Sequence, residues 1–158
     1  YYYVMALDKG WHVAPVGSQD NHQGQWGTQN SLRTGVLVER LTREHFYDAV
    51  RHQRVYFTSA LHLKVWFRVN GAIMGSRIAK SDRADIEVKA LFGKDMNRRI
   101  VRLEVYGEGG HVVHAADLDG QELEYRVSLP GGQRYYFVKV YQDDGEFAVT
   151  APVWMDQN

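Results

Sequence analysis

Two residues near the start of this sequence have side chains and a spacing that could bind a metal ion. Asp20 and His22 follow an apolar run, Val13-Ala14-Pro15-Val16, and the dipeptide Gly17-Ser18. A carboxylate oxygen and an imidazole nitrogen two residues apart can both point into one pocket at the end of a strand. A metal held there could activate a water molecule for hydrolysis. The pattern also fits a polar loop in which Asp20 caps a turn and His22 is solvated.

The elements that would position this pair are predicted from hydrophobic periodicity. Apolar residues at helical spacing, ending before a glycine, predict a helix over residues 1–9. We expect a strand over residues 12–17, which delivers the pair to a polar loop over residues 21–31 that is long enough to line a cleft. The first residues, Tyr1-Tyr2-Tyr3-Val4, do not include an initiator methionine. We therefore interpret the helix as the last turns of a longer one within a larger polypeptide.

A second helix is the clearest helical signal in the chain. Thr42 can cap its N-terminus, and its periodic pattern ends near Gln53. Phe46, Ala49 and Val50 fall on one side of this helix, so we expect them to form a buried stripe.

From residue 55 onward the hydrophobic period changes from 3.6 to 2. Apolar residues alternate strictly with polar ones between Leu61 and Asn70, which is typical of a strand with one buried face. Similar alternation recurs further along the chain, in Ile86–Phe92, Val101–Tyr106, His111–Ala116, Leu123–Leu129, Tyr135–Tyr141 and Phe147–Trp154. Turn sequences rich in Gly, Asn and Asp separate these runs. We therefore expect a mainly β protein: an immunoglobulin-like antiparallel β-sandwich over residues 55–158, preceded by an α/β segment over residues 1–54.

An ordered series of short segments carries a resemblance to a known family. In the N-terminal third these segments are Gly10–Ser18, Asp20–His22, Arg33–Val36, Leu41–Glu44, Ala49–Arg51 and Arg54–Thr58. In the β part they are Phe67–Gly71, Met74–Gly75, Tyr135–Val140 and Ala151–Trp154. Together they resemble the end of a PHP (polymerase and histidinol phosphatase) metallohydrolase domain of the CehA/McbA-like branch, with the β-sandwich that follows the barrel in that branch.

The resemblance implies that residues 1–54 are the remnant of a distorted (β/α)7 barrel that holds two or three divalent metals, which are Zn, Mn or Fe. Asp20 and His22 match the last metal-ligand motif of the family, and no other family ligand has a counterpart here. Gln19, between Ser18 and Asp20, is a departure from the family pattern. The implied partners are an N-terminal barrel of the same protein and a small phosphorylated substrate.

The implied reaction is hydrolysis of a phosphoester by a metal-activated water in the longer protein. Such a site needs most of its ligands in place before metal binds usefully. We therefore expect these residues alone to bind metal weakly, with no cofactor stably held, and to be inactive as an isolated fragment.

Composition narrows the possible partners. Lys and Arg together number 19, as do Asp and Glu, so the formal net charge is zero and no basic field favours nucleic acid. No apolar run approaches the roughly 20 residues of a membrane span. The chain has no cysteine, which excludes disulfides and thiolate ligands but fits a cytoplasmic or an exported protein equally.

A second function remains open, in which the β-sandwich is a non-catalytic binding module for carbohydrate or for its own barrel. Trp66 falls on the polar side of its strand, where it could stack on a sugar or pack against the second helix or the barrel. His111 and His114 form a His-x-x-His pattern, but residues three apart on a strand face opposite sides, so a structural role is favoured over metal binding.

Overall fold

Nearly half of the chain folds into β-strands, which are arranged in two packed sheets. The computed structural model describes residues 1–92 and 97–157 and includes a short 3-10 helix over Glu108–Gly110. The helices and strands are α1 (Tyr2–Asp8), β1 (Arg33–Val36), α2 (Arg43–Arg51), β2 (Val55–Thr58), β3 (Lys64–Val69), β4 (Ala72–Ile73), β5 (Arg77–Ala79), β6 (Arg83–Leu91), β7 (Ile100–Tyr106), β8 (Val112–Gly120), β9 (Glu122–Pro130), β10 (Tyr135–Gln142), β11 (Phe147–Thr150) and β12 (Val153–Gln157). The prediction of a mainly β protein with antiparallel sheets is confirmed.

The smaller sheet has the strand order β4-β3-β6-β9, with every pair antiparallel. In the larger sheet β10 is central: β7 and then β8 lie on one side, and β11, β2 and β1 follow on the other. β12 pairs with the first residues of β10 and runs parallel to β5. The two sheets are therefore the layers of a β-sandwich.

The core lies between the inner faces of the two sheets. On β3, Val65, Phe67 and Val69 are fully buried while the intervening residues are not, as the alternation predicts. From the larger sheet, Val138 and Val140 of β10 join the same hydrophobic cluster. Burying each such side chain contributes about 1.5–3 kcal/mol, so the alternation determines which face of each strand turns inward.

The predicted helix at the start of the chain is confirmed as α1, which covers the outer face of the larger sheet. Leu7 is its buried residue and forms a second hydrophobic cluster with Tyr135, Phe137 and Trp154. Because one cluster member lies on β12, this helix is packed on the sandwich and not separate from it.

The predicted strand over residues 12–17 is wrong, because this segment forms no strand ladder. Its backbone is bonded by side chains instead: Gln53 Nε2 donates to the carbonyl of His12 (2.7 Å), and Gly17 N donates to Thr34 Oγ1 (2.9 Å). Pro15, in the middle of the segment, has no N–H to offer a neighbouring strand. The apolar run therefore passes along the sandwich without joining a sheet.

The second predicted helix is confirmed as α2, and its N-cap is Thr42, whose Oγ1 accepts from the backbone N–H of His45 (3.3 Å). The predicted buried stripe is only partly correct. Ala49 is fully buried, but Phe46 and Val50 are 42% and 43% exposed. One narrow face of α2 contacts the sandwich, so a single small residue occupies the contact.

The N-terminal third is connected to the larger sheet by strand pairing. β1 pairs with β2 in an antiparallel register, and β2 pairs with β11. The division into residues 1–54 and 55–158 stays a prediction; it falls between β1 and β2, and its second part includes residues 93–96 and 158, which lie outside the described residues. The predicted strand Phe147–Trp154 is two strands, β11 and β12, because Pro152 lies between them.

No helix in the described ranges, 1–92 and 97–157, is both long and apolar enough to cross a membrane.

Candidate metal-ligand loop

Asp20 and His22 lie together in an exposed loop between the first extended segment and β1. The distance from Asp20 Oδ1 to His22 Nε2 is 3.1 Å, and the side chains are 93% and 87% exposed, respectively. This is the distance of a hydrogen bond, so the two side chains form an exposed pair within the loop. The contact places one oxygen and one nitrogen, both of which are donor atoms for divalent metals, side by side and open to solvent.

The loop is held together by the side chain of Gln19. Its Nε2 donates to the carbonyl oxygen of Asn30 (2.7 Å), and its Oε1 accepts from the backbone N–H of Gly27 (2.6 Å). Arg33 closes the loop from the other end, with its guanidinium donating to the carbonyl oxygens of Gly27 (2.6 Å) and Asn30 (2.9 Å). Sequence reasoning missed both roles because nothing in a spacing pattern reveals bonds across an irregular loop.

Asp20 adopts a left-handed backbone conformation, which residues other than glycine rarely adopt. Its φ is +46°, and its N–H is bonded to Ser18 Oγ (3.3 Å). Asp and Asn tolerate this left-handed region better than other residues, and strained backbone is concentrated at functional sites. The turn aims the carboxylate of Asp20 toward the ring of His22.

The pair faces a shallow depression of about 510 Å³, which residues of the same loop and of β1 line. Trp26 forms one wall, where its Nε1 donates to the carbonyl oxygen of Asn21 (3.1 Å). The Nδ2 of Asn21 is buried and has no hydrogen-bond partner within the described residues. An unpaired buried donor is costly, so this amide group lowers the stability of the loop.

A third ligand for the pair does not come from the residues that the structure describes. Within 1–92 and 97–157, no group of three His, Cys, Asp or Glu side chains is placed to hold a metal ion. His114 instead bonds through Nε2 to the hydroxyl of Tyr125 (2.7 Å), while His111 is exposed just before β8. A complete centre would need ligands from outside the described residues.

His12 forms a separate pair with Asp156, which ties the extended segment to β12. The distance from His12 Nε2 to Asp156 Oδ2 is 2.6 Å, and the imidazole packs edge-on against the indole of Trp154. Burial alone raises the pKa of Asp156, but His12 and Arg77 outweigh it and lower this pKa below its usual value. This contact is structural, because it anchors the backbone on which the loop begins.

A deeper cleft, of about 610 Å³, lies between α2 and the outer face of the smaller sheet. Its lining includes the half-buried Trp66 of β3, together with His45 and Asp48 of α2. Trp66 makes no ring contact and no hydrogen bond with any other described residue, and it shares the lining of this cleft with residues of α2.

Comparisons with known proteins show distant relatives and no established class. No known family profile matches the chain, and no solved structure matches it. Uncharacterized proteins of Chlamydia pneumoniae (24% identical over 140 residues), Chlamydia trachomatis and Chlamydia muridarum (each 22% identical over 141 residues) are similar to it. Each match covers 79% of this chain but only 22–23% of the relative, so the chain spans less than a quarter of the length of these curated relatives.

Proposed function

We propose that Asp20 and His22 are two ligands of a divalent-metal centre in a PHP-type phosphoesterase, and that the other ligands come from the rest of a longer protein. The observation that carries the proposal is the geometry of the pair: an oxygen and a nitrogen 3.1 Å apart, both exposed, on a loop whose path is fixed by its own hydrogen bonds. The resemblance of the surrounding segments gives the class of reaction.

The proposal also covers the origin of the fold. The order α1, β1, α2 is interpreted as the last part of a (β/α)7 barrel that merged with the sandwich through β1 and β2, and the sandwich is interpreted as immunoglobulin-like. The length of the relatives supports this interpretation, because more than three quarters of each lies outside the matched region.

Zn, Mn or Fe, when bound, would supply an ionised water and neutralise charge on the phosphoryl oxygens. The residues of this chain would hold and orient that group. Asp20 and His22 donate two ligands, Gln19 keeps the loop in the conformation that presents them, and Arg33 fixes the end of the loop next to β1. Preorganised ligands cost less ordering entropy on binding, so Gln19 acts as a positioning residue.

The decisive experiment uses the full open reading frame that contains this chain, expressed with and without His22→Ala. We expect the unmodified protein to retain Zn, Mn or Fe through gel filtration and to hydrolyse p-nitrophenyl phosphate, and the variant to lose both metal and activity by a factor of roughly 100. His111→Ala is the matched control, because that histidine is also exposed but lies far from the loop in sequence.

Metal content measured by mass spectrometry separates binding from catalysis. Loss of metal in His22→Ala but not in His111→Ala supports the ligand assignment, whereas equal metal content in all three proteins refutes it. Retained metal with no hydrolysis of any phosphoester refutes the reaction class and leaves the ligand assignment intact. The 158-residue chain alone is expected to show no turnover with added Mn²⁺ or Zn²⁺, and turnover that disappears in His22→Ala would contradict this expectation.

A further inference from the structure

The cleft between α2 and the smaller sheet has the size and the accessible aromatic group of a small-molecule site. Its volume of about 610 Å³ lies in the range of ligand pockets, which is about 300–1,000 Å³. Trp66 lines this cleft and is half-buried, so its indole is held by the protein while part of it stays open to solvent. A rigid aromatic surface of this kind can stack on a ring at little cost in side-chain entropy.

The cations beside Trp66 have no carboxylate partner among the described residues. Lys64 and Arg68 flank Trp66 on the same face of β3, and Arg68 donates only to the carbonyl oxygen of Gly71 (2.8 Å). On the neighbouring strand, β6, the cation is paired: the distance from Lys89 Nζ to Glu124 Oε1 is 2.6 Å. Two unpaired cations therefore flank the indole, whereas the lysine directly opposite Trp66 in register is already neutralised.

The wall formed by α2 adds donors and acceptors but little free charge. Arg54 and Asp48 form an ion pair with each other, and Asp48 also contacts His52. The Nε of Arg54 is buried and has no hydrogen-bond partner in the described part of the chain. Glu39 lines the rim, so the free charges around the cleft are two positive and one negative.

The charges around the cleft restrict which ligands could bind while stacked on the indole of Trp66. An anionic group is attracted by Lys64 and Arg68, and a guanidinium binds a planar carboxylate through paired hydrogen bonds. The carboxylate of Glu39 accepts hydrogen bonds from hydroxyl groups, and it repels a phosphate dianion about twice as strongly as a singly charged carboxylate at the same distance. A ligand with one carboxylate and several hydroxyls satisfies both conditions.

We propose that this cleft binds a hexose unit that carries a carboxylate, such as a uronic acid residue. The pyranose ring stacks on Trp66, its carboxylate meets Lys64 and Arg68, and its hydroxyls reach Glu39. This site is independent of the metal-ligand loop, since the two share no residue.

The test is a titration of the ¹⁵N-labelled 158-residue chain with D-glucuronate, with D-glucose as the uncharged match and uridine monophosphate as the phosphate match. The indole N–H signal of Trp66, assigned through Trp66→Phe, reports on the cleft. We expect saturable shifts of this signal with glucuronate, and affinity for glucose lower by about fivefold or more because the carboxylate contacts are missing.

Variants that each remove one positive charge test which cations contact the carboxylate of glucuronate. Arg68→Gln and Lys64→Gln are each expected to weaken glucuronate binding by about three- to tenfold without changing the response to glucose, while Lys89→Gln changes neither. Trp66→Phe retains an aromatic ring, so its amide spectrum stays that of a folded protein. Because this variant lacks the indole N–H, its binding is followed by the backbone amide signals of β3, and we expect its affinity for both sugars to fall.

Three outcomes would overturn the proposal. The first is the absence of any shift at the Trp66 signal with glucuronate at about 10 mM, a concentration that detects even weak sites. The second is equal affinity for glucose and glucuronate, which removes the role of the cations. The third is stronger binding of uridine monophosphate than of glucuronate, which assigns the cleft to a nucleotide.

Discussion

Replacing Glu104 by glutamine tests how much one ionised side chain stabilises the larger sheet. Glu104 lies on the outer face of β7 and is 9% exposed. Its carboxylate accepts hydrogen bonds from the hydroxyls of Tyr106 (2.5 Å) and Tyr141 (2.6 Å) and from Nε of Arg102 (2.8 Å). Burial alone raises the pKa of Glu104, but these three donors outweigh it and lower the pKa from its usual 4.5 to about 2.

The contribution of Glu104 to the free energy of unfolding follows from this pKa. A difference of about 2.5 between the unfolded and folded pKa values of Glu104 corresponds to about 3 kcal/mol of stability when the group is ionised in both states. Because the folded pKa is the lower one, this stability is fully present above about pH 4.5. It is lost as the pH falls toward 2, at about 1.4 kcal/mol per pH unit.

We therefore expect Glu104→Gln to lower the free energy of unfolding by about 2–3 kcal/mol at pH 7, and by less than half of that at pH 3. Urea unfolding followed by circular dichroism at pH 7, 5, 4 and 3 measures both values. Glu122→Gln is the control, because this strand glutamate is exposed and should change stability by less than about 0.5 kcal/mol. A loss from Glu104→Gln that is the same at pH 7 and pH 3 would refute the reasoning.

Three further predictions concern backbone geometry and the loop. Gly75→Ala should lower the melting temperature far more than Gly145→Ala. Both glycines have φ near +87°, but only at Gly75 would a Cβ meet backbone, 2.1 Å from the carbonyl oxygen of His52. Similar losses in the two variants would contradict this reasoning. Thr42→Ala should cost about 1 kcal/mol in urea unfolding through loss of the α2 cap, and an unchanged midpoint would count against that cap. Gln19→Ala should lower the heteronuclear NOE of the loop amides while the unfolding midpoint stays within about 0.5 kcal/mol of the original, and unchanged loop NOEs would show that Gln19 does not hold the loop.

The strands were predictable because burial follows a period of two in the sequence. The alternation around Val65 and Phe67 predicts β3 and its inward face, and both residues are fully buried. The same reasoning failed for residues 12–17, where an apolar run without alternation carries no register and Pro15 removes a donor. The alternation also predicted a single strand where the structure has β11 and β12, although Pro152 between them is visible in the sequence.

The candidate site was less predictable than the fold. The spacing of Asp20 and His22 indicates that the two side chains can meet, and they do so at 3.1 Å. The residue that holds their loop, Gln19, bonds to partners eight and eleven residues away, and such bonds depend on the loop's path and not on any local period. The cleft at Trp66 depends on how far α2 stands from β3, a distance that no pattern within either element specifies.

The pairing of β2 with β11 has a consequence for the order in which the molecule is completed. The Asp20 loop precedes most of this chain in the order of synthesis, yet the segments on both sides of it depend on later strands. β1 pairs with β2, which pairs with β11, and His12 contacts Asp156 of β12. A nascent chain that lacks β11 and β12 contains the loop but not the strands on which the segments flanking the loop depend. Contacts of such long sequence separation form slowly. The segments on both sides of the loop therefore reach their final positions only after β11 and β12 have closed the sandwich, whereas the hydrogen bonds that Gln19 makes lie within the loop itself.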